Sequence, residues 1–409
     1  MALSADTIWE IRANGNTDNG GGFVDGASGT DYSQQDAAQV SYTDLAIDAA
    51  DNTILTSATT PFTAAHVGNI LNITGGSGFT QGRYQIVSVD GSNKATVDRA
   101  CGSTGSTSGT GKLGGARILV DAAFNDMVNG NIAYIKADGT HTLTGDCNGG
   151  DASQTAPIKL YGYNSSRGDN PMGTNRPLIA SGNYHITLEN YWFLYNCRFT
   201  GTDTNILVFQ VQSIARNCYM YNSSGTSNRN CAYFYADGGA AFDCELICTN
   251  GRAAETTGNG IRTRLFYCYC HDSDVGFRIT GGSCIVGFCI FDTCVTSGLD
   301  TTTDDGTTVF NCTFYNCGIG ITATDVTRYI VFNNIIDSCT TGISETVQND
   351  GNWIDFNNFS NNSTDRTNTG TGDNDTAYSP NFTDAGGGDF SLQTGSSCIG
   401  SALQLRIGI

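Results

Sequence analysis

Five aspartates carry the side chains that are best spaced in this sequence for acid–base chemistry. Asp272 and Asp274 lie on either side of Ser273, and Asp292 follows about one repeat later. Asp304 and Asp305 are adjacent to each other. Two carboxyl groups can act as acid and base on a glycosidic bond. Aspartates at turns also cap backbone amides, and this structural role is the favoured alternative. The five are therefore candidates for catalysis, and none is assigned to it outright.

Three further charged residues form a candidate binding site. Arg262, Arg278 and Asp300 each follow a glycine by two positions, so they are expected to stack as an outward-facing strip. Such a strip suits a sugar or a neighbouring subunit, and a solvated, self-neutralising face is the favoured alternative. Cys268 and Cys270 alternate on a strand, which does not fit a zinc site. No metal site and no cofactor is predicted.

A sequence repeat must position these side chains. A ladder of cysteines and asparagines recurs at intervals of 21 to 26 residues: Cys197, Cys218, Cys244, Cys268, Cys289, Cys312, Asn334 and Asn358. A column of glycines recurs every 22 residues: Gly276, Gly298, Gly320 and Gly342. Apolar residues around the ladder alternate with the period of a β-strand. Each repeat is therefore predicted to form one coil of a parallel β-helix, and the lack of hexapeptide repeats favours the right-handed form.

Composition and charge limit the function classes that remain. The 409 residues carry a formal net charge of −19, and the four lysines all lie before residue 160, so nucleic-acid binding is disfavoured. No segment reaches the roughly 18 apolar residues of a membrane span, and the N-terminus lacks the apolar core of a signal peptide. Folding in a cytoplasm is expected. The 16 cysteines lie mostly at inward positions and are expected to be reduced.

Changes in composition divide the chain into four regions. Residues 1–30 are rich in glycine and asparagine and are predicted to form an extended arm. Residues 31–115 hold short strands and end in a Gly/Ser/Thr tract, which is typical of a small β domain followed by a linker. A helix at 117–128 is predicted to cap a β-helix over 116–375, and residues 376–409 are predicted to close it.

Three segments carry a resemblance to known proteins. The run GNIAYIKA at 130–137, together with the ladder, resembles the right-handed parallel β-helix superfamily typified by pectate lyases and phage tailspikes. The run SPNFTD at 379–384 resembles a closing motif of such proteins. The run DYSQQDAAQ at 31–39 resembles a module that precedes β-helices in bacteriophage sequences.

These resemblances imply a bacteriophage virion structural protein, an exterior spike, fibre or head-decoration subunit without catalytic activity. They imply other virion proteins as partners, a homotrimer, and a place on the virion exterior after folding in the host cytoplasm. Two alternatives stay open: a tailspike-like polysaccharide depolymerase, hydrolase or lyase, acting on a host-surface glycan, and a bacterial surface β-helix adhesin. The Gly-His-Gly pattern of β-helix hydrolases does not occur in this sequence, which favours the virion interpretation over the enzyme.

Overall fold

The computed structural model describes residues 3–4, 6–202, 205–223, 227–259, 262–302, 306–324, 328–346 and 351–401. The chain forms two compact units, Met1–Ala180 with Glu189–Arg198 and Ser181–Leu188 with Phe199–Ile409. In these described ranges the regular elements are β-strands, one α-helix, Val120–Asp126, and three 3-10 turns, Ala64–His66, Gly173–Asn175 and Ala385–Gly387. Both units contain coils of a parallel β-solenoid, about ten turns in all. The predicted all-β class with a parallel β-helix is confirmed.

The first unit contains the predicted small β domain as a closed barrel. Its six strands are Val40–Ile47, Ile54–Ser57, Ile70–Gly75, Gly82–Val89, Ala95–Val97 and Gly109–Leu113. The Gly/Ser/Thr tract at 102–111 is not the predicted linker, because its last residues belong to the barrel strand Gly109–Leu113. A Cβ on Gly111 would lie 3.2 Å from side-chain atoms of both Leu45 and Leu71, so glycine is needed there for close packing.

The first unit also contains parallel strands of the solenoid. Thr7–Ile11, Ile132–Lys136, Ile158–Tyr163 and Trp192–Tyr195 pair in that order, and Gly22–Val24 is antiparallel to the first. The shorter strands are Thr140–Thr142, paired with Leu178–Gly182, and Cys147–Asn148. The prediction of an extended arm over 1–30 is therefore wrong for Thr7–Ile11, which is a strand of the solenoid. Trp9 is fully buried, and its Nε1 donates to Asn131 Oδ1 at 3.1 Å.

The predicted helix at 117–128 is observed as the shorter helix Val120–Asp126. Its buried residues include Ala123 and Phe124, and the Phe124 ring lies 5.8 Å from the Trp192 ring. The helix is not the only element that protects the first coil, because strand Thr7–Ile11 covers the backbone edge of Ile132–Lys136. Within the described ranges, no helix is long and apolar enough to cross a membrane.

The second unit winds through three parallel sheets, named here in the order in which the chain visits them after residue 213. The first sheet contains Ile214–Arg216, Ala240–Phe242, Arg264–Phe266, Ile285–Gly287, Thr308–Phe310, Ile330–Phe332 and Trp353–Asp355. The second contains Arg198–Gly201, Tyr219–Asn222, Glu245–Cys248, Tyr269–His271, Ile290–Asp292, Thr313–Tyr315, Ile335–Asp337 and Asn358–Ser360. The third contains Ile186–Leu188, Leu207–Phe209, Asn230–Phe234, Arg252–Thr256, Val275–Ile279, Ser297–Thr302, Ile319–Thr324, Thr341–Glu345 and Thr364–Thr367. The hairpin Phe382–Asp384 and Asp389–Leu392 follows.

A left-handed backbone turn precedes each ladder residue of the second unit and joins the first sheet to the second. At these turns φ lies between 52° and 58°, and the residues are Asn217, Asp243, Tyr267, Phe288, Asn311, Asn333 and Phe356. Asparagine and aspartate tolerate this conformation best among non-glycine residues, which explains the recurring Asn-Cys pairs. In the last coil the ladder residue is Asn357, whose Oδ1 accepts from Asn334 Nδ2 at 2.9 Å. The prediction of Asn358 is therefore wrong by one residue.

The ladder cysteines face the interior as predicted, and all sixteen cysteines are free and buried. Burial raises the pKa of Cys101 to about 11 and that of Cys197 to about 12, so these thiols stay protonated and unreactive. We expect thiol titration of the denatured protein, without reductant, to count close to 16 thiols. The native protein, titrated in parallel, should react far more slowly. A count near zero after denaturation would show that the cysteines are oxidised.

Candidate functional site

Two of the five predicted aspartates meet at an aromatic pair on the outer face of the second sheet. The rings of Tyr269 and His271 stack with centroids 4.0 Å apart. His271 Nδ1 lies 2.8 Å from Asp272 Oδ2, and its Nε2 lies 3.3 Å from Glu245 Oε1. The Tyr269 hydroxyl donates to Asp292 Oδ2 at 2.8 Å. We call these five residues the imidazole cluster.

Asp274, the third predicted aspartate that the structure describes, does not join the imidazole cluster. Asp274 accepts a hydrogen bond from the Thr296 hydroxyl of the next coil, so this bond joins two side chains and does not cap a backbone amide. Asp304 and Asp305 lie outside the described residues. Of the three candidate carboxylates that the structure describes, Asp272 and Asp292 belong to the imidazole cluster and Asp274 does not.

The C-terminal hairpin packs against this outer face. The Phe390 ring lies 5.4 Å from the Tyr315 ring and 6.2 Å from the Tyr269 ring, and Phe382 contacts Tyr315 at 6.1 Å. Asp292 is only 9% exposed. The outward aromatics Tyr269 and Tyr315 thus contact the chain's own tail. The tail therefore shields Tyr269 and Asp292 from a polymeric substrate, while the side chains of Asp272 and Glu245 stay exposed.

Protonation of His271 is expected to stabilise the fold. Burial opposes an increase in the pKa of His271, but its hydrogen bonds with Glu245 and Asp272 outweigh burial and raise that pKa. This stabilisation is fully present below the unfolded pKa of about 6.5 and is lost as the pH rises through the folded value. His271→Gln should therefore lower the melting temperature more at about pH 5 than at about pH 9. Equal losses at both would contradict the assignment.

The third sheet carries a row of alternating charges on its outer face. Glu255, Arg278 and Asp300 occupy neighbouring strands in direct register. Arg252 Nη1 donates to both Glu255 oxygens at 2.9 Å, and Arg278 Nε lies 3.6 Å from Asp300 Oδ2. We call these four residues the charged row. Two of the three predicted binding residues, Arg278 and Asp300, are therefore brought together as predicted.

Two groups in the charged row are incompletely paired. Burial is the largest influence on Asp300 and raises the pKa of its carboxyl, while the nearby Arg278 opposes the increase. Among the described residues, Arg278 Nε has no hydrogen-bond partner although it is buried. Tyr233 continues the row on the preceding strand, and the neighbouring Tyr235 is 47% exposed. The row therefore offers a carboxyl group with a raised pKa and, next to the row, an exposed aromatic ring.

The third predicted binding residue, Arg262, does not belong to the charged row. Its side chain is 72% exposed and forms an ion pair with Asp237. The prediction assumed that Gly260 was the column glycine of its coil, but the strand of that coil ends at Thr256 and contributes Glu255 to the row. Glu255 follows no glycine, so the glycine column could not have identified it.

A cavity of about 260 Å³ near the last coils was not anticipated from the sequence. Glu345, Trp353, Asp355 and the loop Thr369 to Asp373 line it. Glu345 occupies an inward position, in register with Ala323 of the preceding coil, where the other coils place Thr or apolar residues. The acidic residue at this inward position was the only signal of the cavity in the sequence, and it could have been noticed.

No known protein family and no curated protein matches this chain. Similar solved structures include the PL6 family alginate lyase AlyGC, at 14% identity and TM-score 0.41, over 59% of this chain and 37% of that one. The PL6 family polysaccharide lyase Pedsa3628 from Pseudopedobacter saltans shows 13% identity and TM-score 0.41, over 64% and 77%. Pectate lyase Pel9A shows 13% identity and TM-score 0.44, over 72% and 88%. This chain thus spans little more than a third of the length of AlyGC.

Proposed function

We propose that this protein cleaves a polysaccharide at the charged row of the third sheet. The observation that carries the proposal is the direct register of Glu255, Arg278 and Asp300 on the outer face. Strands in a sheet are spaced by about 4.8 Å, so the backbones of Glu255 and Asp300 lie about 10 Å apart. Carboxyl groups separated by about 6.5–9.5 Å leave room for a water molecule and are typical of inverting glycoside hydrolases.

The environments of the two carboxyl groups suit different roles. The raised pKa of Asp300 lets it hold a proton closer to neutral pH, as a general acid for the leaving oxygen requires. The paired hydrogen bonds from Arg252 orient Glu255 as an acceptor, which suits the activation of water. Arg278 lies between them, and its buried Nε, 3.6 Å from Asp300 Oδ2, helps to orient the carboxyl group of Asp300. Tyr235 supplies an exposed ring for stacking against a sugar.

The net charge favours a neutral or cationic glycan as the substrate. A formal charge of −19 repels a polyanion at long range. Hydrolysis is therefore proposed rather than the elimination reaction of uronate-containing polymers.

A panel of neutral, amino-containing and uronate polysaccharides tests the proposal. New reducing ends should appear with at least one neutral or amino-containing polymer, without the ultraviolet absorbance of unsaturated products. Unsaturated products from a uronate polymer would reassign the reaction to elimination. No cleavage of any polymer, by protein shown to be folded, would contradict the proposal.

The virion role stays a prediction from the sequence, together with its virion partners, the homotrimer and folding in the host cytoplasm. It depends on the resemblance of the first 115 residues, with DYSQQDAAQ at 31–39 and VGN at 67–69, to a module that precedes β-helices in bacteriophage sequences. Mass spectrometry of purified virions should detect the protein at a fixed copy number if that role is correct. Absence of the protein from the particles would exclude it.

A further inference from the structure

The outer face of the first sheet carries a continuous strip of aromatic side chains. Neighbouring rings have centroids 4.9–6.1 Å apart, and the members are Phe242, Phe266, Tyr267, Phe288, Phe310, Phe332 and Trp353. We call these seven residues the aromatic strip. Tyr267 is 57% exposed, Phe288 40% and Trp353 42%. A contiguous exposed patch of large apolar side chains marks an interaction surface, whereas single exposed residues do not.

Gly287 keeps the aromatic strip continuous at its middle coil. It lies in register between Phe266 of the preceding coil and Phe310 of the next. A Cβ at this position would lie 2.7 Å from Phe310 Cζ and 2.9 Å from Phe266 Cε1. The two rings therefore close over the glycine, with their centroids 6.1 Å apart. A larger residue there would separate the rings and interrupt the surface.

The orientation of the rings suits a protein partner better than a sugar. Phe242 stacks on Phe266, and Phe310 stacks on Phe332, with 10° between the ring planes of each pair. Each ring thus turns a face to its neighbour and leaves an edge for a partner. Ring edges pack against the aromatic and aliphatic side chains of a protein. The five phenylalanines also lack a hydrogen-bonding group for sugar hydroxyls.

The two ends of the aromatic strip carry opposite charges. One outward row of the first sheet reads, in direct register, Arg216, Phe242, Phe266, Gly287, Phe310, Phe332 and Asp355. Arg216 is 61% exposed and pairs with Asp243, and the exposed Arg264 adds a second cation within the first three coils. At the other end, the exposed Asp373 lines the same cavity as Trp353 and Asp355.

We propose that a second copy of this chain packs antiparallel on the aromatic strip. The first sheet of the second unit has seven strands, and Ile285–Gly287 is the fourth. A two-fold axis along that strand places Arg216 opposite Asp355 of the partner subunit. The same axis places Phe242 opposite the partner's Phe332, and Phe266 opposite the partner's Phe310. The surface is thus complementary to itself, as a two-fold interface requires, whereas parallel packing would bring like charges together.

The size of the aromatic strip predicts a weak dimer. Strands in a sheet are spaced by about 4.8 Å, so the seven strands span about 29 Å. Large aromatic side chains bury about 150–250 Å² each, and seven partly exposed ones therefore offer on the order of 500 Å². A standard interface buries about 800 Å² on each partner. We expect a dissociation constant on the order of 10 μM. The proposal does not depend on the polysaccharide-cleaving function, because the charged row lies on the third sheet.

Sedimentation velocity of the full chain tests the association. Between about 1 and 100 μM protein, the weight-average mass should rise from that of a monomer towards that of a dimer. A mass that stays monomeric over this range would overturn the proposal. A trimeric mass would also overturn it, in favour of the homotrimer implied by the sequence resemblance.

Variants at the exposed rings locate the interface. Tyr267 and Phe288 both have φ of 56°, which asparagine tolerates, so Tyr267→Asn and Phe288→Asn remove a ring without straining the backbone. Each should weaken dimerisation by at least about tenfold. Tyr378→Asn, at a 45% exposed tyrosine outside the aromatic strip, is the matched control. Thermal unfolding of each variant separates lost association from lost folding. If Tyr378→Asn weakens the dimer as much as Phe288→Asn does, the interface lies elsewhere and the proposal fails.

A charge reversal tests the antiparallel orientation. Arg216→Glu should weaken the dimer by about fivefold or more at low salt, because it places a carboxylate opposite Asp355 of the partner subunit. Adding Asp373→Arg to the same chain should restore most of the lost affinity. In a parallel arrangement residue 373 lies far from residue 216 of the other copy, so the second change would restore nothing. Failure of this rescue would contradict the proposed orientation.

Discussion

Asp300→Asn is expected to lower the rate of polysaccharide cleavage by about 100-fold or more, because an amide cannot donate a proton to the leaving oxygen. Glu255→Gln should cause a loss of similar size by removing the base. The two variants should differ in their dependence on pH. The raised pKa of Asp300 places the loss of activity at high pH, where the acid is deprotonated. This alkaline limb of the kcat profile should disappear in Asp300→Asn.

Asp274→Asn is the matched control for these variants. Asp274 follows the second-sheet strand Tyr269–His271, its carboxyl group accepts from the Thr296 hydroxyl, and it is not part of the charged row. Its replacement should leave kcat within about twofold of the wild type, since surface substitutions away from a site are usually close to neutral. If Asp274→Asn abolishes cleavage and Asp300→Asn does not, the active site has been placed on the wrong sheet.

Gly298→Val and Gly320→Val are expected to destabilise the fold by about 2 kcal/mol or more each, within the range for overpacked cores. A Cβ on Gly298 would lie 2.7 Å from Phe314 Cδ1 and 2.9 Å from the Gly320 carbonyl oxygen. A Cβ on Gly320 would lie 2.6 Å from the Gly342 carbonyl oxygen. Neither carbonyl can move without breaking the pairing of its coil. The measurement is the melting temperature by circular dichroism.

Gly258→Val is the control for these glycine variants. A Cβ at Gly258 meets no atom within 4 Å, and the residue has no left-handed backbone. Its melting temperature should stay close to that of the wild type. Melting temperatures unchanged in Gly298→Val and Gly320→Val would show that the coils can separate to admit a side chain.

The glycine column is a sequence pattern that has two possible structural causes. The sequence predicted either a positive φ or a close contact with the next coil at Gly298 and Gly320. The structure selects the close contact, because neither glycine adopts a left-handed backbone. The two causes produce the same repeat in the sequence, since glycine alone satisfies each of them. Only the distance to the next coil separates them.

The sequence alone determined the repeat, the parallel β-helix and the inward cysteines. Each of these depends on alternation within a strand and on a period of about 22 residues, which are local properties of the chain. The register of Arg278 with Asp300 could also be predicted from the sequence. Gly276 and Gly298 are one repeat apart, and each charged residue follows its glycine by two positions.

The tertiary structure decided which side chains meet where the glycine column is interrupted. Glu255 rather than Arg262 joins the charged row, because Ala253, and not Gly260, occupies the column position of that coil, 23 residues before Gly276. The return of Thr7–Ile11 to Ile132–Lys136 and the contact of Phe390 with Tyr269 join residues more than 100 positions apart. Such contacts depend on where the whole chain has travelled, and no local period in the sequence records that path.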